Sequence, residues 1–286
     1  MTDGNGINLG RHDAARSHGG WLVAGTAAVG RVGRMTLSLW RGMTDFSRYV
    51  AAIFKSFLSL RFIRMRSINY IIIRQTLFTG INALPFVVIV ALIVGGIVII
   101  QGKTNLPRFG IGGYFGNLLV VIIARELGPL VTALIVVSRS GTAIATEIAV
   151  QKWSREILSL EIAGVDPSLY IVFPRIVAFT ISIFSLIIFF DITAFLGGYV
   201  LSLTAVYVPI DLFFSNLIES FTLKDLAATV IKSFIFGMLI PLICCYYGMK
   251  PRSKFEIPIA ASRAVGLTLL AIFMLNVAVS VAFYFG

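Results

Sequence analysis

The stretch Ile81-Asn-Ala-Leu-Pro-Phe-Val-Val-Ile-Val-Ala-Leu-Ile-Val-Gly-Gly-Ile-Val-Ile-Ile-Gln101 contains no charged side chain. A helix advances about 1.5 Å per residue, so about 20 apolar residues match the hydrocarbon thickness of a bilayer. Residues 81–101 are therefore expected to cross a membrane, with Pro85 near the start, where a missing N–H does least harm. Working outward, four more such runs lie near 114–137, 168–203, 226–247 and 259–285. The 168–203 run exceeds what a bilayer needs, and Pro174 gives it a kink point. The expected fold is an all-α integral membrane protein, with a five-span domain over 81–286.

Composition points the same way. The chain has 286 residues, 58% of them hydrophobic and 13% charged, and no soluble domain of this size needs so much apolar surface. Mean hydropathy is +0.93. The net charge of +11 is uneven: eleven of the 24 Lys and Arg lie before residue 81 against three acids, a local charge of +8. A basic stretch ahead of the first span points to anionic lipid headgroups on the cytoplasmic face. Nucleic acid fits less well, because large apolar residues interleave with the bases. In 35–80, Leu39, Met43, Phe46, Val50, Phe54, Phe57 and Leu58 recur at helical steps between Arg41, Arg48, Lys55 and Arg61. This is the pattern of an N-terminal amphipathic helix lying in the interface. Residues 1–34 read as a disordered cytoplasmic tail. Its apolar patch at 21–30 resembles a signal-peptide core, but Arg31 and Arg34 stand where a small-residue cleavage site belongs. An uncleaved N-terminus is expected.

Orientation follows from the basic residues. Arg139, Lys152, Arg155, Lys250, Arg252, Lys254 and Arg263 fall in the proposed inner segments, and Lys103, Arg108 and Lys224 in the outer ones. The positive-inside rule then puts the N-terminus in the cytoplasm and, after five crossings, the C-terminus outside. Residues 205–225, with Pro209, Asp211, Glu219 and Asp225, read as an external loop holding a short amphipathic helix.

Intramembrane charges are the first candidates for function, because each costs several kcal/mol unless paired or wetted. Arg125 and Glu126 fall roughly 17 Å into the second span, near mid-membrane. Adjacent helical residues point about 100° apart, so the two need not pair with each other. They either line a polar spot in a transport cavity or neutralise residues on other spans. Gly128-Pro129 directly after them would break the local hydrogen-bond ladder. Asp191 and Lys232, on the third and fourth spans, are expected to form a structural salt bridge, with close helix contact near Gly197-Gly198. Gly141, Ala145 and Ala149 make a small-residue packing face. Residues 151–163 read as one cytoplasmic helix of about three turns: Trp153, Ile157 and Leu160 share a face, while Lys152, Arg155 and Glu156 lie elsewhere. Gly164 suits a left-handed C-terminal cap, and Asp166-Pro167 suits the start of the next helix. Such a helix is either an ordinary connector or a docking site for a cytoplasmic subunit.

Other chemistry finds little support. Cys244 and Cys245 are adjacent in an apolar run and point apart, so no disulfide is expected. His12 and His18 have no ligand-spaced partners, and no metal is expected. Gly96 and Gly102-Lys103-Thr104 imitate a phosphate-binding loop, but five residues separate the glycines where the pattern has four. The chain is read as non-catalytic, with no cofactor of its own.

Three segments together resemble the MlaE/YrbE-type permeases, membrane subunits of Mce-associated ABC lipid transporters. They are Glu126-Leu-Gly-Pro-Leu-Val-Thr-Ala-Leu134, Ser138-Arg-Ser-Gly-Thr-Ala-Ile-Ala-Thr-Glu147, and Glu161-Ile-Ala-Gly-Val-Asp-Pro167 with Pro174-Arg175. The likeness extends over about 65–286. It implies an inner-membrane homodimer carrying two cytoplasmic ATPase subunits that use ATP and Mg, a periplasmic ring of Mce-domain protein and a small cytoplasmic regulatory subunit. The implied cargo is phospholipid, carried between the inner and outer membranes to keep outer-membrane asymmetry. By the same likeness Arg125 and Glu126 would border the lipid cavity. Glu147, Lys152, Arg155, Glu156, Glu161 and Asp166 would belong to the ATPase-coupling helix. Two other classes stay open: a secondary transporter or ion pathway through the intramembrane charges, and a non-transporting assembly subunit or membrane enzyme. Five spans do not divide into the matching halves that secondary transporters usually show.

Overall fold

The computed structural model describes residues 42, 44–55, 66–109, 115–203 and 209–284. The chain divides into two compact units, Met1–Ala52 and Ile53–Gly286. The described part of the first unit belongs to a helix over 44–55, where Arg48 and Asp45 face each other one turn apart at 4.0 Å. The rest of the tail and most of the predicted interfacial stretch before residue 66 lie outside the described residues.

The second unit contains five helices long and apolar enough to cross a membrane: Ile68–Arg108, Phe115–Trp153, Ser168–Leu201, Leu223–Gly248 and Lys254–Tyr284. In chain order they are the first to fifth spans. Their number matches the hydropathy reading, but their ends do not. The first helix begins at Arg66, well ahead of residue 81, so Pro85 sits in its interior and not near its start. Arg74 and Gln75 depress the local hydropathy, yet tertiary packing carries the helix through them. Ile68 and Thr79 are buried, and the Ser182 hydroxyl of the third span donates to the Thr76 carbonyl at 3.2 Å.

The first and third spans make the most extensive helix pair, and glycine makes it possible. A Cβ on Gly198 would lie 2.6 Å from the Gly95 carbonyl carbon, so the two backbones touch directly. Small residues let membrane helices approach this closely, and dispersion and weak backbone contacts then hold them. The close contact expected around Gly197-Gly198 is present. Gly237 of the fourth span abuts Thr180 of the third in the same manner.

The second span is one long helix with two π-type stretches, Val120–Leu127 and Val137–Gly141. It runs on through the small-residue face to Trp153, where the sequence suggested an inner segment. The expected three-turn helix over 151–163 is therefore split. Arg155 takes a left-handed backbone (φ 62), the only non-glycine among the described residues to do so, and breaks the ladder after Trp153. Beyond it the chain forms a separate helix, Glu156–Ile162. Its C-terminal cap is as expected. Gly164 has φ 75; its N–H donates to Glu161 O, and the Val165 N–H to Leu160 O. The Asp166 carboxylate accepts the Ser168 N–H at 2.9 Å, starting the third span.

The connection between the third and fourth spans holds the predicted short helix, Ile210–Ser220, anchored by buried Phe213 against Tyr199 (ring centroids 4.9 Å). Asp225 is not part of that loop. Thr222 and Asp225 form a capping box at the head of the fourth span, each side chain accepting from the other's end of the turn.

Gly198→Val should drive methyls into the Gly95 backbone and lower the thermal midpoint of the purified protein by several degrees. Gly266→Ala, where nothing lies within 4 Å of the added carbon, should leave it unchanged. A tolerated Gly198→Val would show that the two helices do not touch there.

Candidate functional site

Arg125 and Glu126 leave the second span in different directions, and each finds an opposite charge on the fourth. Arg125 Nε lies 2.7 Å from Asp225 Oδ1. Glu126 Oε2 lies 3.4 Å from the Lys232 ammonium. Asp225 and Lys232 are seven positions apart, two turns on one face of the fourth helix, so one helix face meets two neighbouring residues of the other.

The fifth span completes the group. Asn276 Nδ2 donates to Glu126 Oε2 at 2.8 Å, and Ser280 Oγ donates to Glu126 Oε1 at 2.5 Å. The Tyr284 hydroxyl donates to Asp225 Oδ1 at 3.0 Å while its ring lies 4.5 Å from the Arg125 guanidinium carbon. Asn276, Ser280 and Tyr284 recur every four residues, one stripe along an otherwise apolar helix. Two basic and two acidic groups thus neutralise one another between the second and fourth spans, as buried charges must, and the fifth adds neutral hydrogen bonds.

Local sequence prepares one further contact. Pro129 has no N–H, so the Arg125 carbonyl four residues before it loses its α-helical donor. Lys232 Nζ donates to that carbonyl at 2.5 Å. The π-type stretch ends there, with the Gly128 N–H reaching back to Ile123 O. The expected break at Gly128-Pro129 is therefore a change of helix type that frees an acceptor.

The structure does not bring Asp191 and Lys232 together. The Asp191 carboxylate packs against Gly128, where a Cβ would collide with it, and its Oδ1 has no hydrogen-bond partner among the described residues. The helix register accounts for this. Gly237 abuts Thr180, and consecutive spans run oppositely, so Asp191 falls level with about residue 226. The ionic group extends inward from the helix head at Thr222, and Arg125 reaches back toward that end. Glu126 keeps 36% of its side chain exposed, so the group is not sealed.

The residues expected on the coupling helix divide by position. Glu147 lies on the second span and pairs with buried Arg175 of the third at 2.9 Å. Lys152 donates to the Met249 carbonyl, capping the end of the fourth span. Arg155, Glu156, Glu161 and Asp166 are exposed around the short helix, where Leu158 and Ile162 also face outward. Sequence reasoning missed Asp225, Asn276, Ser280 and Tyr284. Two signals were available: the Thr222-x-x-Asp225 capping spacing, and a polar stripe at four-residue steps in an apolar helix.

The chain has relatives among known proteins. Residues 72–282 match the family described as Permease MlaE. The chain is 30% identical to a probable ABC transporter permease protein of Rickettsia felis over 217 residues, covering 76% of this chain and 82% of that one. A probable ABC transporter permease protein of Synechocystis is 30% identical over 251 residues, covering 86% and 92%. The intermembrane phospholipid transport system permease protein MlaE of Haemophilus influenzae is 29% identical over 179 residues, covering 62% and 69%.

Lys232→Met should destabilise the protein by leaving Glu126 without its cation, and a second change, Glu126→Gln, should recover part of the loss. A coupling of about 1–3 kcal/mol is expected from a thermal-unfolding double-mutant cycle. Strictly additive effects would show that the pair contributes nothing.

Proposed function

The chain belongs to the MlaE permease family, as a non-catalytic ABC transporter membrane subunit, and from that premise we propose that it moves phospholipid between the inner and outer membranes. The observation that carries this reading is the partly exposed Glu126 carboxylate. Lys232, Asn276 and Ser280 hold it in place. Next to it the fifth span turns large apolar side chains outward, among them Phe273, Met274, Val277 and Val281. A fixed polar ledge beside an apolar wall complements a lipid, which has a charged head and hydrocarbon tails. The Haemophilus relative, whose name states phospholipid transport, supports the same cargo.

Energy would come from cytoplasmic ATPase subunits docked on the helix Glu156–Ile162. None of its residues is buried, and it presents Leu158 and Ile162 beside Arg155, Glu156 and Glu161. An apolar patch rimmed by both signs of charge suits a protein partner. We place this end in the cytoplasm, in agreement with the basic residues around it. The apolar outer face of the fifth span would meet a second copy, and an Mce-domain ring would take lipid on the periplasmic side. A relay of protons or ions has less support, because Arg125 and Lys232 are each held by a carboxylate and Asp191 stands apart from Lys232.

The test is ATP-driven movement of a fluorescent phospholipid by the complete complex reconstituted in liposomes. Glu126→Gln keeps the shape and most hydrogen bonds, and should slow lipid movement about tenfold while the ATPase stays bound. Ile162→Glu should release the ATPase on purification and leave the permease folded. Wild-type movement by Glu126→Gln, or no lipid movement by the intact complex, would overturn the proposal.

A further inference from the structure

At the end of the bundle that carries Lys152 and the helix Glu156–Ile162, the first three spans enclose a recess of about 410 Å³. Its walls include Arg74 and Phe78 of the first span, Glu147 and Gln151 of the second, and Tyr170 and Arg175 at the start of the third. This recess is remote from Arg125 and Glu126, which do not line it. Its charges do not balance. Glu147 and Arg175 neutralise each other at 2.9 Å, and Arg74 makes no ion pair among the described residues. The surplus is one positive charge.

Two residues of the wall also keep buried polar atoms without partners among the described residues. Arg175 is 6% exposed; its Nη1 donates to Ile171 O and its Nη2 meets Glu147, but its Nε has no acceptor among the described residues. Gln151 Oε1 is buried and likewise unsatisfied. Buried donors and acceptors are rarely left so, and each such case calls for a missing partner. Tyr70 and Tyr170 add hydroxyls to the wall, while Phe78 and Ile71 make its apolar side. Tyr70, Ile73 and Leu77 are exposed on the first span around this end, the surface a bilayer would cover.

We propose that this recess binds the phosphodiester of an anionic phospholipid that stays with the protein as a resident lipid, with Arg74 pairing the phosphate and Phe78 lying along the glycerol and acyl carbons. One surplus cation fits one phosphodiester charge, and a guanidinium gives that phosphate paired, charge-assisted hydrogen bonds. A neighbouring recess of about 360 Å³ shares Gln151 and Tyr170 and is walled by Glu156, Ile157 and Leu160 of the short helix. A lipid in the first recess would therefore brace the segment proposed to meet the ATPase. The site does not depend on the transport reading, because it concerns a lipid held at the opposite end of the second span from Glu126.

The test is native mass spectrometry of the purified full-length protein, titrated with equimolar phosphatidylglycerol and phosphatidylcholine. The wild type should retain phosphatidylglycerol preferentially, and Arg74→Gln should reduce that retention about tenfold. Arg74 is exposed, so the substitution should not disturb folding; an unchanged thermal midpoint checks this. Equal retention of the two lipids by the wild type, or an undiminished preference in Arg74→Gln, would overturn the proposal. Inorganic phosphate at millimolar concentration should not displace the lipid. Displacement would overturn the lipid assignment in favour of a free-phosphate site. Loss of cargo movement in Glu126→Gln has no bearing on either outcome.

Discussion

Lys232 carries its ammonium into a bundle of apolar helices with its side chain 1% exposed, and Asp225 does the same with a carboxylate. Neither charge is tolerable alone, since an unpaired ion in hydrocarbon costs several kcal/mol. Their partners Arg125 and Glu126 are consecutive on the second span, so satisfying both fixes that helix against the fourth in rotation and in height. The fifth span is then drawn in by Asn276, Ser280 and Tyr284, which supply the hydrogen bonds that the ion pairs leave open. Three helices are registered by one polar cluster, whereas the apolar surfaces around it would accept many registers.

Backbone chemistry supports this cluster. Pro129 removes a donor and leaves the Arg125 carbonyl available, and Lys232 takes it. The same dipeptide supplies Gly128, whose missing Cβ admits the Asp191 carboxylate of the third span. One short stretch therefore receives two other helices. Elsewhere in the bundle, glycine contacts between the first and third spans need no polar group at all. The molecule combines an interface specified by charge with one specified by close approach, and only the first holds a partly exposed polar group.

The second span runs past both polar groups of the bundle. It begins at Phe115, passes the ionic cluster at Arg125 and Glu126 and then the Glu147–Arg175 pair, and ends where Lys152 caps the fourth span. Arg155 then bends the chain sharply in a backbone region that disfavours side chains. Such strain persists only where surrounding structure enforces it, and it sets the short helix apart from the rod before it.

Five spans, the short helix between the third and fourth, the Gly164 cap and the Asp166-Pro167 start were legible in the sequence, because each rests on local hydrophobicity or on a residue with a restricted backbone. The importance of Arg125 and Glu126 was legible too, since charge in an apolar run has few innocent explanations. Their partners were not. Which carboxylate meets Lys232 depends on the relative height of two helices, and apolar periodicity says nothing about height. Asp225 looked like loop because composition counts charges without seeing that a helix head can carry one inside. The break at Arg155 lay equally out of sight, in a stretch whose residues all suit a continuous helix. Sequence alone determined what had to be buried or capped. Tertiary structure decided which group answers which, because pairing is set by three-dimensional register.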